Sequence, residues 1–270
     1  LPEKPSAAAT RGTVVHAVLE RLFDAPAAER TAPRARGLVP GEWEKLLAAR
    51  PELAELFRRE DGSHDAERLA TWLADAERLV ERWFALEDPT RLEPAERELH
   101  VETVLPDVGD AGLTLRGIVD RIDVAPTGDL RIVDYKTGKA PAPQYRGDAL
   151  FQMMFYALVM WRLRGRVPRR LQLVYLGSGD VLTYDPVEAE LLAVERKLRA
   201  LWEAISLATE TGDWRPRPTK LCGWCDHQAV CPEFGGTPPP YPLPVPAQRG
   251  GPADGPAAPV EGAQGRMDPV

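Results

Sequence analysis

Gly117-Ile118-Val119-Asp120-Arg121-Ile122-Asp123 and Ile132-Val133-Asp134-Tyr135-Lys136-Thr137-Gly138 are two runs rich in β-branched residues. The break between them, Ala125-Pro126-Thr127-Gly128-Asp129, is turn chemistry with a glycine available for positive φ, so the pair reads as a β-hairpin. A loop of Pro126, Thr127 and Gly128 pairs Ala125 with Asp129 and sets Asp120 directly opposite Asp134. Side chains alternate along a strand. One face therefore carries Ile118, Asp120, Ile122, Val124, Leu130, Ile132, Asp134 and Lys136, oily at the turn and ionic at the far end. Val119, Arg121, Asp123, Arg131, Val133 and Tyr135 fall on the other face, where Asp123 and Arg131 form an ordinary cross-strand ion pair. Like charges standing opposite on a half-buried face destabilise a hairpin, and a cation neutralises them. Carboxylate oxygens of this kind suit Mg²⁺ or Mn²⁺. A solvated hairpin tip with one salt bridge is the blander reading, but Ile-Val-Asp-Tyr-Lys is too apolar before its charges for a solvated surface.

At these residues the chain resembles the RecB-type exonuclease branch of the PD-(D/E)XK nuclease superfamily, which also holds the nuclease domains of AddAB-type recombination enzymes and CRISPR adaptation nucleases. Four segments carry the resemblance: Gly12-Thr-Val-Val-His16-Ala-Val-Leu-Glu20, Gly-x-Val-Asp120-Arg-Ile-Asp, Asp134-Tyr-Lys136-Thr-Gly, and Gln152-Met-Met-Phe-Tyr156. It spans roughly residues 10 to 234. The resemblance implies a metal held by His16, Asp120, Asp134 and the backbone carbonyl of Tyr135. Lys136 would orient the attacking water or stabilise charge on phosphorus, and Gln152 and Tyr156 would contact the substrate strand or position Lys136. Glu20, one helical turn from His16, would orient His16 or only support the helix. The expected reaction is metal-assisted phosphodiester hydrolysis, as a DNA exonuclease in recombination or repair. The alternative is a catalytically inactive module that grips a DNA end or a helicase partner. No Gly-x4-Gly-Lys-Ser/Thr loop is present, so any helicase activity would come from a partner.

Cys222-x2-Cys225-x5-Cys231 is an odd, clustered set that reads as a soft-metal site in a reducing, cytoplasmic compartment rather than as disulfides. The resemblance implies a 4Fe-4S cluster whose fourth cysteine lies near the N-terminus. The chain starts at Leu1 without that residue, so an upstream segment is expected to carry it. Zn²⁺ held by the three thiolates and His227 is the rival reading.

With 270 residues, 44% hydrophobic and 28% charged, the chain can bury one sizeable core. No run of about eighteen apolar residues occurs, so no membrane-spanning helix is expected. The net charge of −7 argues against a sequence-independent DNA coat. Between Arg116 and Arg170, however, eleven Lys and Arg face five Asp. Its Arg162–Arg170 end reads equally as a DNA track or as a solvated helix end.

Helices are expected over 10–24, 146–164 and 187–211, and a helical insertion over 41–87 with Trp43, Trp72, Trp83 and Phe84 at core-like positions. Strands are expected near 96–105, 113–125, 129–136, 170–177 and 180–185. This order is an α/β one and matches what the resemblance implies, a three-layer α/β/α restriction-endonuclease-like core around a mixed sheet. Residues 1–234 form the nuclease domain, with a metal-binding cysteine region over 213–234. The Pro/Gly/Ala-rich stretch 235–270 lacks the apolar content to order and is expected to be disordered.

Overall fold

The computed structural model describes residues 5–106, 108 and 112–240. The last thirty residues of the expected tail lie outside the described residues. Two compact units divide the chain, Leu1–Ala208 and Thr209–Val270.

In the first unit a five-stranded sheet runs in the order β1 (Glu96–Leu105), β2 (Leu113–Val124), β3 (Leu130–Lys136), β4 (Arg170–Tyr175) and β5 (Asp180–Tyr184). All neighbours are antiparallel except β3 and β4, which are parallel. Their crossover is helix α4 (Arg146–Arg164), which ends at Gly165 with φ 66°. β3 lies between β2 and β4, and its Ile132, Val133, Asp134 and Tyr135 are all buried. That burial on both faces explains why its sequence is a continuous apolar run rather than an alternation.

One face of the sheet is covered by α1 (Ala7–Leu22), α2 (Ala32–Ala49) and α3 (Ala66–Trp83), which pack with Val133, Tyr135, Val174 and Leu176. Ser6 and Asp65 cap α1 and α3 by accepting from the backbone N–H of Ala9 and Arg68. Trp43, Phe57 and Trp72 meet edge-to-face with ring centroids 5.1–5.5 Å apart, each pair contributing about 1 kcal/mol beyond area burial. The expected helical insertion is therefore one of the three layers. It also starts earlier than residue 41, because α2 carries Pro40 in its interior, a residue that reads as a helix breaker. On the other face α4 and the first turns of α5 (Glu188–Thr211) pack with Ile122, Ile132, Leu171 and Leu173.

The hairpin register is as expected from Val124–Leu130 through Arg121–Val133, with Gly128 at φ 79° in the turn. The face assignment needs one correction. Val119 packs in the same cluster as Ile122 and Ile132, not with Val133 and Tyr135, and Ile118 is 40% exposed. The cause is a break at Asp120. Cross-strand pairs on the β1 side run Arg97–Arg121 and Leu99–Val119 but skip Glu98–Asp120, and on the β3 side they stop before Asp134. Glu98 sits there with φ 43°, a left-handed conformation that a glutamate adopts only at a cost of about 1–3 kcal/mol. Inward and outward positions on β2 switch across this break.

In the second unit, short 3₁₀ turns over Lys220–Trp224, Gln228–Val230 and Pro232–Phe234 carry three free cysteines. Backbone N–H groups of Thr219 and His227 lie on Cys222 Sγ and Cys225 Sγ at 3.2 and 3.4 Å.

Candidate active site

The break in β2 frees Asp120 from both ladders, and its carboxylate takes over a backbone role. Its Oδ2 accepts the Tyr135 N–H at 2.7 Å, so Asp120 is tied to β3 through a side chain rather than standing opposite Asp134 in the ladder. From α1, His16 turns inward beside its buried stripe of Val15, Val18, Leu19 and Leu22. Its Nε2 lies 2.9 Å from the Tyr135 carbonyl, while Nδ1 lies 3.5 Å from Asp120 Oδ2 and 3.9 Å from Glu98 Oε1. Among the described residues, His16, Glu98 and Asp120 are the one group of three His, Cys, Asp or Glu whose ligand atoms lie within 4.8 Å of one another. Glu98 is thus a site residue that the sequence reading missed. The three cysteine sulfurs are not gathered with one another or with His227 in this way.

Asp134, at the end of β3, is 3% exposed. Its Oδ2 lies 2.7 Å from Lys136 Nζ, yet the alignment makes no hydrogen bond, so this buried oxygen has no hydrogen-bond partner. Lys136 instead donates to Gln152 Oε1 at 2.9 Å, and Gln152 Nε2 donates to Tyr156 Oη at 3.0 Å. The α4 pair therefore fixes the ammonium from one side while Asp134 holds it from the other. Gly117 makes room for this chain of contacts, because a Cβ there would fall 2.7 Å from Tyr156 Cε1.

Charge is in surplus. Burial pushes the Glu98 carboxyl up to about 7, with the charges of Asp120, Glu20 and Asp134 adding to it and that of His16 opposing. Burial and then Asp120 raise Asp134 to about 6 against the pull of Lys136. Burial alone would lower His16, but the hydrogen bond to Asp120 and the charges of Asp120, Glu98 and Asp134 outweigh it and raise it above its ordinary value. Glu20 faces Glu98 closely enough to be felt there.

A divalent cation fits this donor set. Hard oxygen donors and one imidazole converge, one buried carboxylate oxygen makes no hydrogen bond, and the excess negative charge has a single ammonium against it. Beside the acids an open cleft of about 480 Å³ is lined by Ala9, Gly12, Thr13, His16, Tyr135, Lys136, Thr137, Gly138 and Tyr175.

A model of the PD-(D/E)XK nuclease superfamily matches residues 1–232. The chain belongs to that superfamily. The five-stranded mixed sheet with helices on both faces is the superfamily's core in this chain. A curated relative, the Gene 69 protein of Mycobacterium phage L5, is 29% identical over 126 residues, 46% of this chain. That match spans 41% of the relative's length. The crystal structure of a candidate exonuclease from Eubacterium rectale shares the fold with TM-score 0.50 and 12% identity, over 84% of this chain and 76% of that one. Among the described residues no helix is long and apolar enough to cross a membrane.

Eight of the eleven cations between Arg116 and Arg170 have carboxylate partners, among them Arg121–Glu87, Arg131–Asp123, Arg162–Glu195, Arg164–Glu96 and Arg170–Asp185. The expected basic strip is therefore largely neutralised within the fold. Lys139, Arg146 and Arg169 make no ion pair among the described residues.

Proposed function

We propose that this chain is a Mg²⁺- or Mn²⁺-dependent deoxyribonuclease of the RecB type that removes nucleotides from DNA ends, serving recombination or repair beside a separate helicase. The observation that carries the reading is the buried Asp134 oxygen, without a hydrogen bond and facing an ammonium, beside the His16–Glu98–Asp120 group. His16, Asp120, Asp134 and the Tyr135 carbonyl would hold the cation, with Glu98 completing the set. When bound, such a cation polarises a phosphate oxygen and acidifies a water. Lys136, held between Asp134 and Gln152, presents its remaining protons to that water or to the charge growing on phosphorus. Gln152 and Tyr156 keep the ammonium from folding down onto Asp134 alone.

The test is degradation of end-labelled linear DNA with Mn²⁺, with and without chelator, alongside closed circular DNA. Linear DNA should be degraded and circular DNA spared. Asp134→Asn and Lys136→Ala should each abolish activity while circular dichroism is unchanged. Activity persisting in both variants would defeat the proposal.

For the cysteine unit we propose a bound soft metal, an iron-sulfur cluster or Zn²⁺ with His227, on the strength of the backbone N–H groups aimed at two of the sulfurs. Anaerobically purified protein with visible absorbance supports the cluster. Metal analysis finding neither iron nor zinc refutes both.

A further inference from the structure

We infer that the substrate strand leaves the active site across the helical layer, over α3, rather than along the Arg162–Arg170 end of α4. This rests on the nuclease reading and adds the surface that carries the DNA backbone. Thr137 and Gly138, directly after Lys136, line two clefts at once. One is the cleft holding His16 and Lys136; the other continues to Arg11, Arg78, Arg82 and Lys139 and is about 240 Å³. Four cations thus border a groove with one carboxylate, Asp75, which Arg11 and Arg78 share. Arg82 spends its hydrogen bonds on the carbonyls of Leu176 and Gly177, which neutralise no charge. Lys139 makes no ion pair among the described residues.

The arrangement follows from the helix. Trp72, Ala76, Leu79, Val80 and Trp83 bury one side of α3, and Arg78 and Arg82, one turn apart, fall on its exposed side. Gly177 allows the two loops to meet, since a Cβ there would fall 2.5 Å from the Gly138 carbonyl group. That close approach brings Lys139 to the same groove as α3. A row of under-neutralised cations continuous with a phosphodiester-cutting centre fits a nucleic-acid backbone, and the groove's lack of aromatic lining points to phosphate binding rather than base stacking. The Arg162–Arg170 stretch has less of this character, since Arg162, Arg164, Arg166 and Arg170 each hold a carboxylate of their own and Arg169 alone is left over among the described residues.

The experiment is binding of a single-stranded oligonucleotide to the full chain in EDTA across a salt series, for the wild type and two double variants. Removing one cation that neutralises a phosphate lowers the slope of log K against log salt by about 0.7 for a single strand. Arg78→Ala/Lys139→Ala should reduce the slope by about 1.4 without changing the thermal melt, and Arg164→Ala/Arg169→Ala should leave it unchanged. An unchanged slope in the first double variant, a fall confined to the second, or no salt-dependent binding by the wild type would overturn the inference. Cleavage by the wild type in Mn²⁺ is scored separately, so an active nuclease with an unchanged slope rejects only the track. A fallen slope with no cleavage rejects only the nuclease.

Discussion

Removing Glu87 should destabilise the nuclease core far more than removing any surface acid. Glu87 follows α3 and accepts four hydrogen bonds: from Arg121 at 2.7 and 2.9 Å, from Trp83 Nε1 at 2.7 Å and from Gln172 Nε2 at 3.2 Å. Arg121 is 1% exposed, stacks over the Tyr135 ring at 5.6 Å and donates to its hydroxyl. Glu87→Ala leaves that guanidinium buried with the Tyr135 hydroxyl and one carboxylate, Asp123 at 3.1 Å, in place of two. Stranding one member of a buried pair costs about 3–5 kcal/mol, which for a domain of this size lowers Tm on the order of 10 °C. Urea unfolding should show the loss as a lower midpoint at unchanged slope. Glu55→Ala, which breaks an exposed 2.9 Å pair with Arg58, should cost less than about 1 kcal/mol. Adding Arg121→Met to Glu87→Ala should restore more than half the loss, because the stranded charge goes with it. A loss below about 1 kcal/mol, or no recovery in the double variant, would refute the reasoning.

Acid sensitivity follows from the same pair. Burial pushes the Glu87 carboxyl up, but the Arg121 hydrogen bonds and charge more than offset it, so its folded value lies below 4.5. Its stabilisation is therefore complete above that value and fades as pH falls through the lower folded one, and Glu87→Ala should lose this acid-dependent limb of the stability profile. Gly117→Ala should push the Tyr156 ring off Gln152 and reduce turnover by an order of magnitude or more, with a smaller effect on DNA binding, as single-turnover kinetics would reveal. Glu98→Asn removes one of three crowded carboxylates and suits the left-handed backbone, so it should raise stability by about 1 kcal/mol while weakening Mn²⁺ binding measured by calorimetry. A variant that binds Mn²⁺ as tightly as the wild type would remove Glu98 from the site.

The difference between what could and could not be read in advance comes down to loop length. The β2–β3 connection is five residues, Ala125 to Asp129, with a glycine at positive φ, which leaves one register and so brings Asp120, Asp134 and Lys136 to one end of the hairpin. His16, at the edge of a buried stripe, reads by itself as a boundary residue, and only the resemblance of its segment to the nuclease branch marked it. Glu98 carries no such mark. Within Glu96-Arg97-Glu98-Leu99 it looks like one more solvent-facing charge, and the seven residues between β1 and β2 leave their register open. Only the register of that pair sets Glu98 beside Asp120, and only then does the break in both ladders acquire a cause: two acids, one from each strand, are gathered with an imidazole where regular pairing would have held them in the ladder. The strain at Glu98 and the lapse in alternation at Val119 are one feature, in which local backbone regularity is given up to concentrate charge.

Arginine content misled in the opposite direction. Counting charges along Arg116–Arg170 gives a basic strip, but a guanidinium in a fold of this composition usually meets a carboxylate, and which one it meets depends on partners distant in sequence, such as Arg121 with Glu87 and Arg162 with Glu195. What attracts a polyanion is the charge left over after those pairings, and that remainder sits where acids are scarce rather than where arginines are dense. On α3 a single aspartate serves two arginines, and a third spends its donors on carbonyls. A helix whose four acids outnumber its three arginines therefore presents a cationic edge in the fold, in a groove continuous with the cleft that holds His16 and Lys136.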